Sequence, residues 1–211
     1  DRMWGTTDRW FAESGDTSAE ERGIFRVWST TLAGGAFRFW LPEYPLTQRA
    51  LVGKAAFDMA VDDPLLNCGL KGMPGIMGAP YPMEFHDRGD IIELRIEEYD
   101  SLRTIYMNPA TAPSPTGSIM GYSSGSWDGD TLVVETTNLN WGHFHGRGII
   151  VTDQLRLVER FTPTEGGGRL EYELTITDPG TFTESVSQGR SWVWLPDVRV
   201  EPYECKLRDE A

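Results

Sequence analysis

The sequence predicts an all-β protein, an up-and-down antiparallel barrel of the lipocalin or calycin kind with one helix and one long loop. Three observations predict this fold. From Met83 onward the hydrophobic pattern has a period of two, short turn signals separate the alternating runs, and a single earlier segment has helical spacing. A two-layer β-sandwich fits the same strands, but the short hairpins between successive strands favour the barrel.

The first part of the chain contains few regular elements. Residues 1–24 are polar and charged and are predicted to form an arm, and short strands are predicted within 23–31 and 35–41. The segment 47–61 predicts the helix, because Thr47 can cap it and apolar residues recur along one side. That apolar side consists of Ala50, Leu51, Ala55, Phe57 and Met59. The segment that follows, up to residue 82, is rich in Gly and Pro and predicts a long loop closing one end of the barrel.

Residues 83–205 are predicted to form the barrel itself, and residues 1–211 a single domain. The cleanest hairpin signal is Asp128-Gly129, because an Asp-Gly pair suits the tight turn between two antiparallel strands. The expected strands are 83–86, 91–98, 102–108, 119–127, 131–138, 155–162, 169–177, 189–195 and 198–204. In the seventh of them, Leu170, Tyr172, Leu174 and Ile176 are expected to share one face.

Charge and composition exclude several classes of function. The 211 residues carry 19 basic and 32 acidic side chains, a formal net charge of −13. Such a field repels phosphate groups, so neither nucleic acid nor an anionic membrane is an expected partner. No apolar run approaches membrane-spanning length, and no phosphate-binding loop, dinucleotide fingerprint, nucleophile elbow or zinc-protease motif is present.

The chain has two cysteines, Cys68 in the Gly- and Pro-rich loop and Cys205 near the C-terminus. In an exported protein they would form one disulfide that ties the last strand back to the loop. The alternative is a pair of reduced thiols in the core.

Four segments carry a resemblance to a protein family. They are GSWDGDTLVVETTNLNW (125–141), VERFT (158–162), TITDPGTFT (175–183) and WVWLPDVRVEPYEC (192–205). These segments resemble the signature "GrWeGDTLVVeTt…W", "vERF", "tiTDP" and "yeC" of a widespread family of exported bacterial proteins without a settled activity. The resemblance covers about residues 45–205 and implies a lipocalin-like barrel in the periplasm or outside the cell. Relatives tend to have Trp-Pro-Tyr-Phe-Asp-Asp where this chain has residues 141–146, WGHFHG.

That departure places two of the three histidines, His143 and His145, in an H-x-H pattern. In an extended segment both imidazoles face the same side and can approach one metal or one substrate. His86 shares a face with Glu84, and together with the pair it would supply a set suited to zinc, copper or iron. The alternatives are an acid–base or substrate-contact role without metal, and an ordinary surface pair. No cofactor is expected.

Carboxylates form a second candidate set, because Glu98, Glu135 and Glu159 each stand in phase with neighbouring apolar residues of a predicted strand. Such a carboxylate lies in water at a strand end, or is buried and paired, or has a raised pKa suited to acid–base chemistry. Arg103 is a plausible partner of Glu98 across a tight turn. The family resemblance places Glu98, Arg103 and Tyr106 on its "E…R.Iy" pattern, although Glu97 also fits the first position.

Aromatic residues form a third set, which would line the interior for a flat or greasy ligand or serve as ordinary core. Trp192 and Trp194 are expected to share one face of the last long strand. The members of the set are Trp40, Tyr81, Phe85, Tyr106, Tyr122, Trp127, Trp141, Phe144, Trp192 and Trp194.

We expect a cofactor-independent enzyme, a lyase, isomerase or cyclase that moves protons on a hydrophobic or aromatic small molecule inside the barrel. The alternatives are a non-catalytic periplasmic carrier of an apolar molecule and a histidine-ligated metalloenzyme. An exposed strand edge or aromatic face could support a homodimer. The residues expected to act are His143 and His145 as acid and base, Glu98 or Glu135 as a second proton carrier, and Arg103 and Tyr106 to orient a substrate oxygen.

Overall fold

The computed structural model describes residues 23–30, 39–145 and 148–205, and within them it confirms an all-β barrel with one helix. Nine strands close the barrel in the order β1-β11-β10-β9-β6-β5-β4-β3-β2, and β7 pairs with β8 in a separate hairpin. The elements are β1 (Val27–Ser29), α1 (Gln48–Ala56), β2 (Met83–Asp87), β3 (Ile91–Ile96), β4 (Ser101–Tyr106), β5 (Tyr122–Asp128), β6 (Thr131–Thr137), β7 (His143–His145), β8 (Ile149–Ile150), β9 (Arg156–Thr164), β10 (Arg169–Thr177) and β11 (Val186–Trp194).

One neighbouring pair departs from the expected antiparallel order. β4 and β5 run parallel, joined by the crossing segment 107–121, whereas the other neighbours around the barrel are antiparallel. A ring of nine strands requires such an exception, because strictly alternating directions close only on an even number of strands. The parallel pair is therefore a consequence of the strand number.

Because buried and less buried residues alternate along the strands, one face of each strand points into the barrel interior. The four residues predicted to share a face of β10 are each no more than 1% exposed. The same period places Ile92, Leu94 and Ile96 of β3 inside, and their neighbours Glu93 and Arg95 are only partly buried. Large buried rings complete this core, including Phe85 and Phe161, whose centroids are 5.3 Å apart.

Helix α1 begins where its cap predicts, because the Thr47 hydroxyl accepts a hydrogen bond from the Ala50 amide at 3.2 Å. The helix ends at Ala56, earlier than expected, and its predicted apolar side is wrong. Only Ala50 of that side is buried, while Leu51 and Met59 are 46% and 57% exposed. The reason is that the helix lies outside the barrel, against β8. No helix in the described ranges is long and apolar enough to cross a membrane.

Two predicted strands are absent. Residues 198–204 are not a strand, because their amides bond to side chains: Glu201 donates to Glu97 Oε2 at 3.0 Å and Tyr203 to Asp100 Oδ1 at 3.1 Å. Residues 35–38 of the strand expected within 35–41 lie outside the described residues. Residues 39–41 do not form a strand. Residues 1–22 of the predicted arm, 1–24, also lie outside the described residues.

A disulfide joins Cys68 to Cys205, with Cα atoms 5.8 Å apart, and links residues separated by 137 positions. Next to it the Tyr203 ring packs against Tyr81 and Tyr99, with centroids 5.3 and 4.9 Å away. Burial, together with Tyr81 and Tyr99, raises the pKa of Tyr203 to about 12. The C-terminal segment is therefore fastened to the barrel by a covalent bond and an aromatic cluster.

Replacing both cysteines by serine should lower the free energy of unfolding by about 2–4 kcal/mol, because the cross-link restricts a long stretch of the unfolded chain. Urea unfolding of the oxidised protein and the double variant measures the difference. A wild-type protein equally stable with and without reductant would contradict a stabilising role for the bond.

Candidate functional site

The barrel interior contains a fully buried ion pair between Arg103 of β4 and Glu159 of β9. Arg103 Nη1 donates to Glu159 Oε1 at 2.9 Å, and Nη2 donates to Oε2, which makes the pair bidentate. Both side chains are at most 1% exposed. Because β5 and β6 separate β4 from β9 in the barrel, the pair crosses the interior and does not merely link adjacent strands.

Three hydroxyl groups complete the hydrogen bonding of this pair. Thr136 accepts from Arg103 Nη2 at 2.7 Å, and Ser123 accepts from Nε at 3.1 Å. The Tyr172 hydroxyl donates to Glu159 Oε1 at 2.8 Å. We name these five residues the interior network. Their strands, β4, β5, β6, β9 and β10, are consecutive around the barrel, so the network fastens more than half of its wall.

Charge states within the interior network are firmly set. Burial opposes the charge of Arg103, but the Glu159 carboxylate outweighs it and raises the guanidinium pKa above its usual value. Burial, and next the Glu159 charge, raises the pKa of Tyr172 well above 10. Arg103 therefore stays charged and Tyr172 stays protonated at neutral pH, as in a structural network rather than a proton relay.

The expected pairing of Arg103 with Glu98 is wrong. Glu98 is buried and accepts two hydrogen bonds from Lys71 Nζ, at 2.6 and 2.7 Å. The sequence extends the alternation of β3 to residue 98, but β3 ends at Ile96 and Glu98 begins a short 3-10 turn. At this position the carboxylate is bonded to Lys71 of the loop and not to Arg103.

The structure does not bring the histidines together inside the barrel. His143 lies on the β7–β8 hairpin outside the barrel, between Trp141 and Phe57, with ring centroids 5.3 and 6.4 Å away. His145 ends β7, but its side chain lies outside the described residues. His86 is on the outer side of β2, with Nε2 3.0 Å from a Glu84 carboxylate oxygen, so the predicted shared face is present. In the described part of the chain, no three His, Cys, Asp or Glu residues form a metal-binding group.

Two further predicted catalytic residues lie on the outer surface. Glu135 alternates with buried Val134 and Thr136 and forms an ion pair with Arg156. Tyr106 stacks on Tyr122, with ring centroids 5.1 Å apart and planes tilted by 22°. Neither residue faces the interior network, because odd and even positions of one strand point to opposite sides of the wall.

The predicted aromatic set divides between core and surface. Trp192 is 2% exposed, whereas Trp194 at the end of the same face is 38% exposed and carries Arg26 over its ring at 4.6 Å. Trp127, near the end of β5, is 46% exposed. Buried members are Phe85, Phe144 and Trp192, and half-buried members are Trp40, Tyr81, Tyr106, Tyr122 and Trp141.

Aromatic side chains gather where residues 71–82, named here the closing loop, cover the barrel. Phe144 reaches in from the β7–β8 hairpin and contacts Trp40, Tyr44 and Phe182 at centroid distances between 5.1 and 5.4 Å. Within the closing loop, Met73, Ile76 and Met77 are at most 1% exposed. The closing loop is therefore part of the hydrophobic core, as a lid packed onto rings.

Sequence reasoning missed two polar residues beneath this lid, Gln188 and Arg190 of β11. Both share the inward face with buried Trp192, and Arg190 stands directly opposite Tyr172 of the interior network. The signal in the sequence was their spacing, because Gln188 is two residues from Val186 and Arg190 is two residues from Trp192. Gln188 was missed because the strand was predicted to begin at residue 189.

No protein-family model, curated protein or solved structure matches this chain.

Removing one partner of the interior ion pair should be costly. Glu159→Gln should lower the free energy of unfolding by about 3–5 kcal/mol, because it leaves the Arg103 charge buried without its counter-ion. The matched control is Glu135→Gln in the exposed pair with Arg156, where the loss should stay within about 1 kcal/mol. Denaturant unfolding compares the two, and equal losses would contradict a special role for the interior pair.

His143 should make stability fall on mild acidification. Burial lowers the pKa of its imidazole below 6.5, so the unfolded chain takes up the proton first. Stability is full above pH 6.5 and declines as pH falls through that value. His143→Asn should reduce the decline by about 0.5 kcal/mol, since solvent screens a partly buried ring. Unfolding free energies between pH 5.5 and 7.5 test this, and parallel curves for both proteins would refute it.

Proposed function

We propose that this protein is a binding protein that holds a largely apolar small molecule in the barrel beneath the closing loop and releases it unchanged. The observation that carries the proposal is the division of the interior. Arg103 and Glu159 are bonded to one another in the interior network, and the region under the lid is bounded by aromatic rings. Apolar walls with a few polar groups are typical of small-molecule sites.

The placement of the expected catalytic residues also supports binding over catalysis. An acid–base enzyme needs at least two titratable groups within reach of one substrate. Here His143 and Glu135 lie outside the wall, Glu98 is paired with Lys71, and Arg103 is paired with Glu159. The predicted residues whose side chains the structure describes therefore do not converge on one position.

The disulfide supports a periplasmic or secreted location, because such bonds persist mainly in oxidising compartments. An exported carrier has no access to most intracellular cofactors, which agrees with a site made of apolar walls.

A proton-transfer enzyme remains the second candidate, and one observation favours it. The Tyr172 ring stands across from Arg190 on the neighbouring strand, so a phenol and a guanidinium face the same side of the barrel. A substrate oxygen there would meet the positive charge of Arg190, and Tyr172 would donate to it only after leaving its hydrogen bond to Glu159.

We expect a neutral apolar dye, N-phenylnaphthylamine, to bind saturably with one molecule per chain. Its binding should shift the indole N–H resonance of buried Trp192 and leave that of exposed Trp127 in place. The variants Trp192→Phe and Trp127→Phe assign the two resonances. Absence of saturable binding, or a shift confined to Trp127, would refute a site under the closing loop.

The molecule that co-purifies with the protein separates the two candidates. Incubated with the protein in deuterated water, it should retain its carbon-bound hydrogens, because a carrier moves no protons. Mass spectrometry of the extracted molecule measures this. Deuterium incorporated above the level in buffer alone would establish the enzyme instead.

A further inference from the structure

Arg190 is a partly buried cation whose hydrogen bonding is incomplete. Its Nη1 donates to the carbonyl oxygens of Met77 and Ala79 in the closing loop, both at 3.0 Å. Its Nε is buried without a hydrogen-bond partner. The guanidinium lies 4.7 Å from the centroid of the Trp192 ring and 6.0 Å from that of Phe39. Its environment thus consists of aromatic faces and two neutral carbonyls.

No carboxylate lies within ion-pairing distance of Arg190 among the residues of 23–30, 39–145 and 148–205. Burial accordingly lowers the pKa of its guanidinium to about 10, which still leaves it charged at neutral pH. A buried charge is unfavourable unless an opposite charge compensates for it. Arg103 has such a partner in Glu159, and Arg190 has none in this part of the chain.

Gln188 supplies a second unused donor on the same face. Its Oε1 accepts a hydrogen bond from the Tyr44 hydroxyl at 2.9 Å, which fixes the orientation of the amide. Its Nε2 is buried and makes no hydrogen bond. Residues two apart on a strand share a face and lie about 7 Å apart. Two inward side chains of β11 therefore each carry a buried, unsatisfied N–H group.

We propose that the ligand carries a carboxylate, and that Arg190 binds this carboxylate with Gln188 as a second donor; this inference rests on the proposed binding function. The carbonyl oxygens of the closing loop bond only to Nη1 of Arg190. The edge formed by Nε and Nη2 therefore remains for a ligand, and its two parallel N–H groups match the two oxygens of a carboxylate. The rings of Trp192 and Phe39 bound the adjoining apolar part.

Charge balance selects a carboxylate over a phosphate. One carboxylate neutralises the single charge of Arg190. A doubly charged phosphate would carry one negative charge more than Arg190 balances, and Arg103 is already bonded to Glu159. The ligand class is therefore an apolar acid with one negative charge.

Decanoate and decanol form a matched pair of probes, equal in apolar chain and different in charge. Wild-type protein should bind decanoate at least about tenfold more tightly than decanol, the effect of one charge-assisted hydrogen-bonded contact. Arg190→Gln should abolish that preference while changing decanol affinity less than about threefold, since the apolar contacts remain. Arg156→Gln, in an exposed pair on the outer wall, is the control and should retain the preference.

Two further variants keep the test decisive if Arg190→Gln does not fold, which circular dichroism detects. Arg190→Lys retains the charge without the planar fork and should bind decanoate with intermediate affinity. Gln188→Met should weaken decanoate binding about threefold to tenfold without affecting decanol. Equal affinity of wild-type protein for both probes, or no binding of decanoate, overturns the inference while N-phenylnaphthylamine binding still supports the barrel site. Failure of all three probes overturns the proposed function as well.

Discussion

The ion pair of Arg103 with Glu159 is the interaction around which this barrel is arranged. It joins strands that are not neighbours, and the hydroxyls of Ser123, Thr136 and Tyr172 complete its bonding. A buried pair is favourable only when its remaining donors and acceptors are satisfied, and here the neighbouring strands supply those groups. The sheet must therefore close with this register, because a shift of one residue would turn all five side chains to the outer surface.

A second interior arginine shows the opposite condition. Arg190 shares the barrel with Arg103, yet neutral carbonyls and aromatic rings surround it where Arg103 has a carboxylate. The two sites are adjacent, since Tyr172 belongs to the interior network and stands opposite Arg190 across a strand pair. The rigid network can thus hold β10 and β11 in place while the charge on Arg190 stays available under the closing loop. In the proposed binding protein, structural stability and ligand recognition would therefore depend on different cations.

The barrel was predictable because it depends on a repeated pattern. Buried and less buried residues alternate along its strands, and Leu170, Tyr172, Leu174 and Ile176 lie inside as expected. The partners of the charged residues were not predictable. Glu98 and Arg103 are close in sequence, but Glu98 is bonded to Lys71, and the true partner of Arg103, Glu159, is 56 positions away. Alternation identified Glu159 as inward but carries no information about which strand faces it. His143 escaped prediction for a related reason, since a hairpin inserted between β6 and β9 places it outside the wall.

The most direct measurement of this division of roles is the nuclear magnetic resonance signal of the arginine Nε–H groups, assigned through substitution of Arg103 and Arg190. In the wild-type protein, saturating decanoate should move the Arg190 signal downfield, as expected for a new bond to a carboxylate, and leave the Arg103 signal unchanged. Decanol should move neither. A protein that binds decanoate while the Arg190 signal remains in place would contradict the account, and so would displacement of the Arg103 signal.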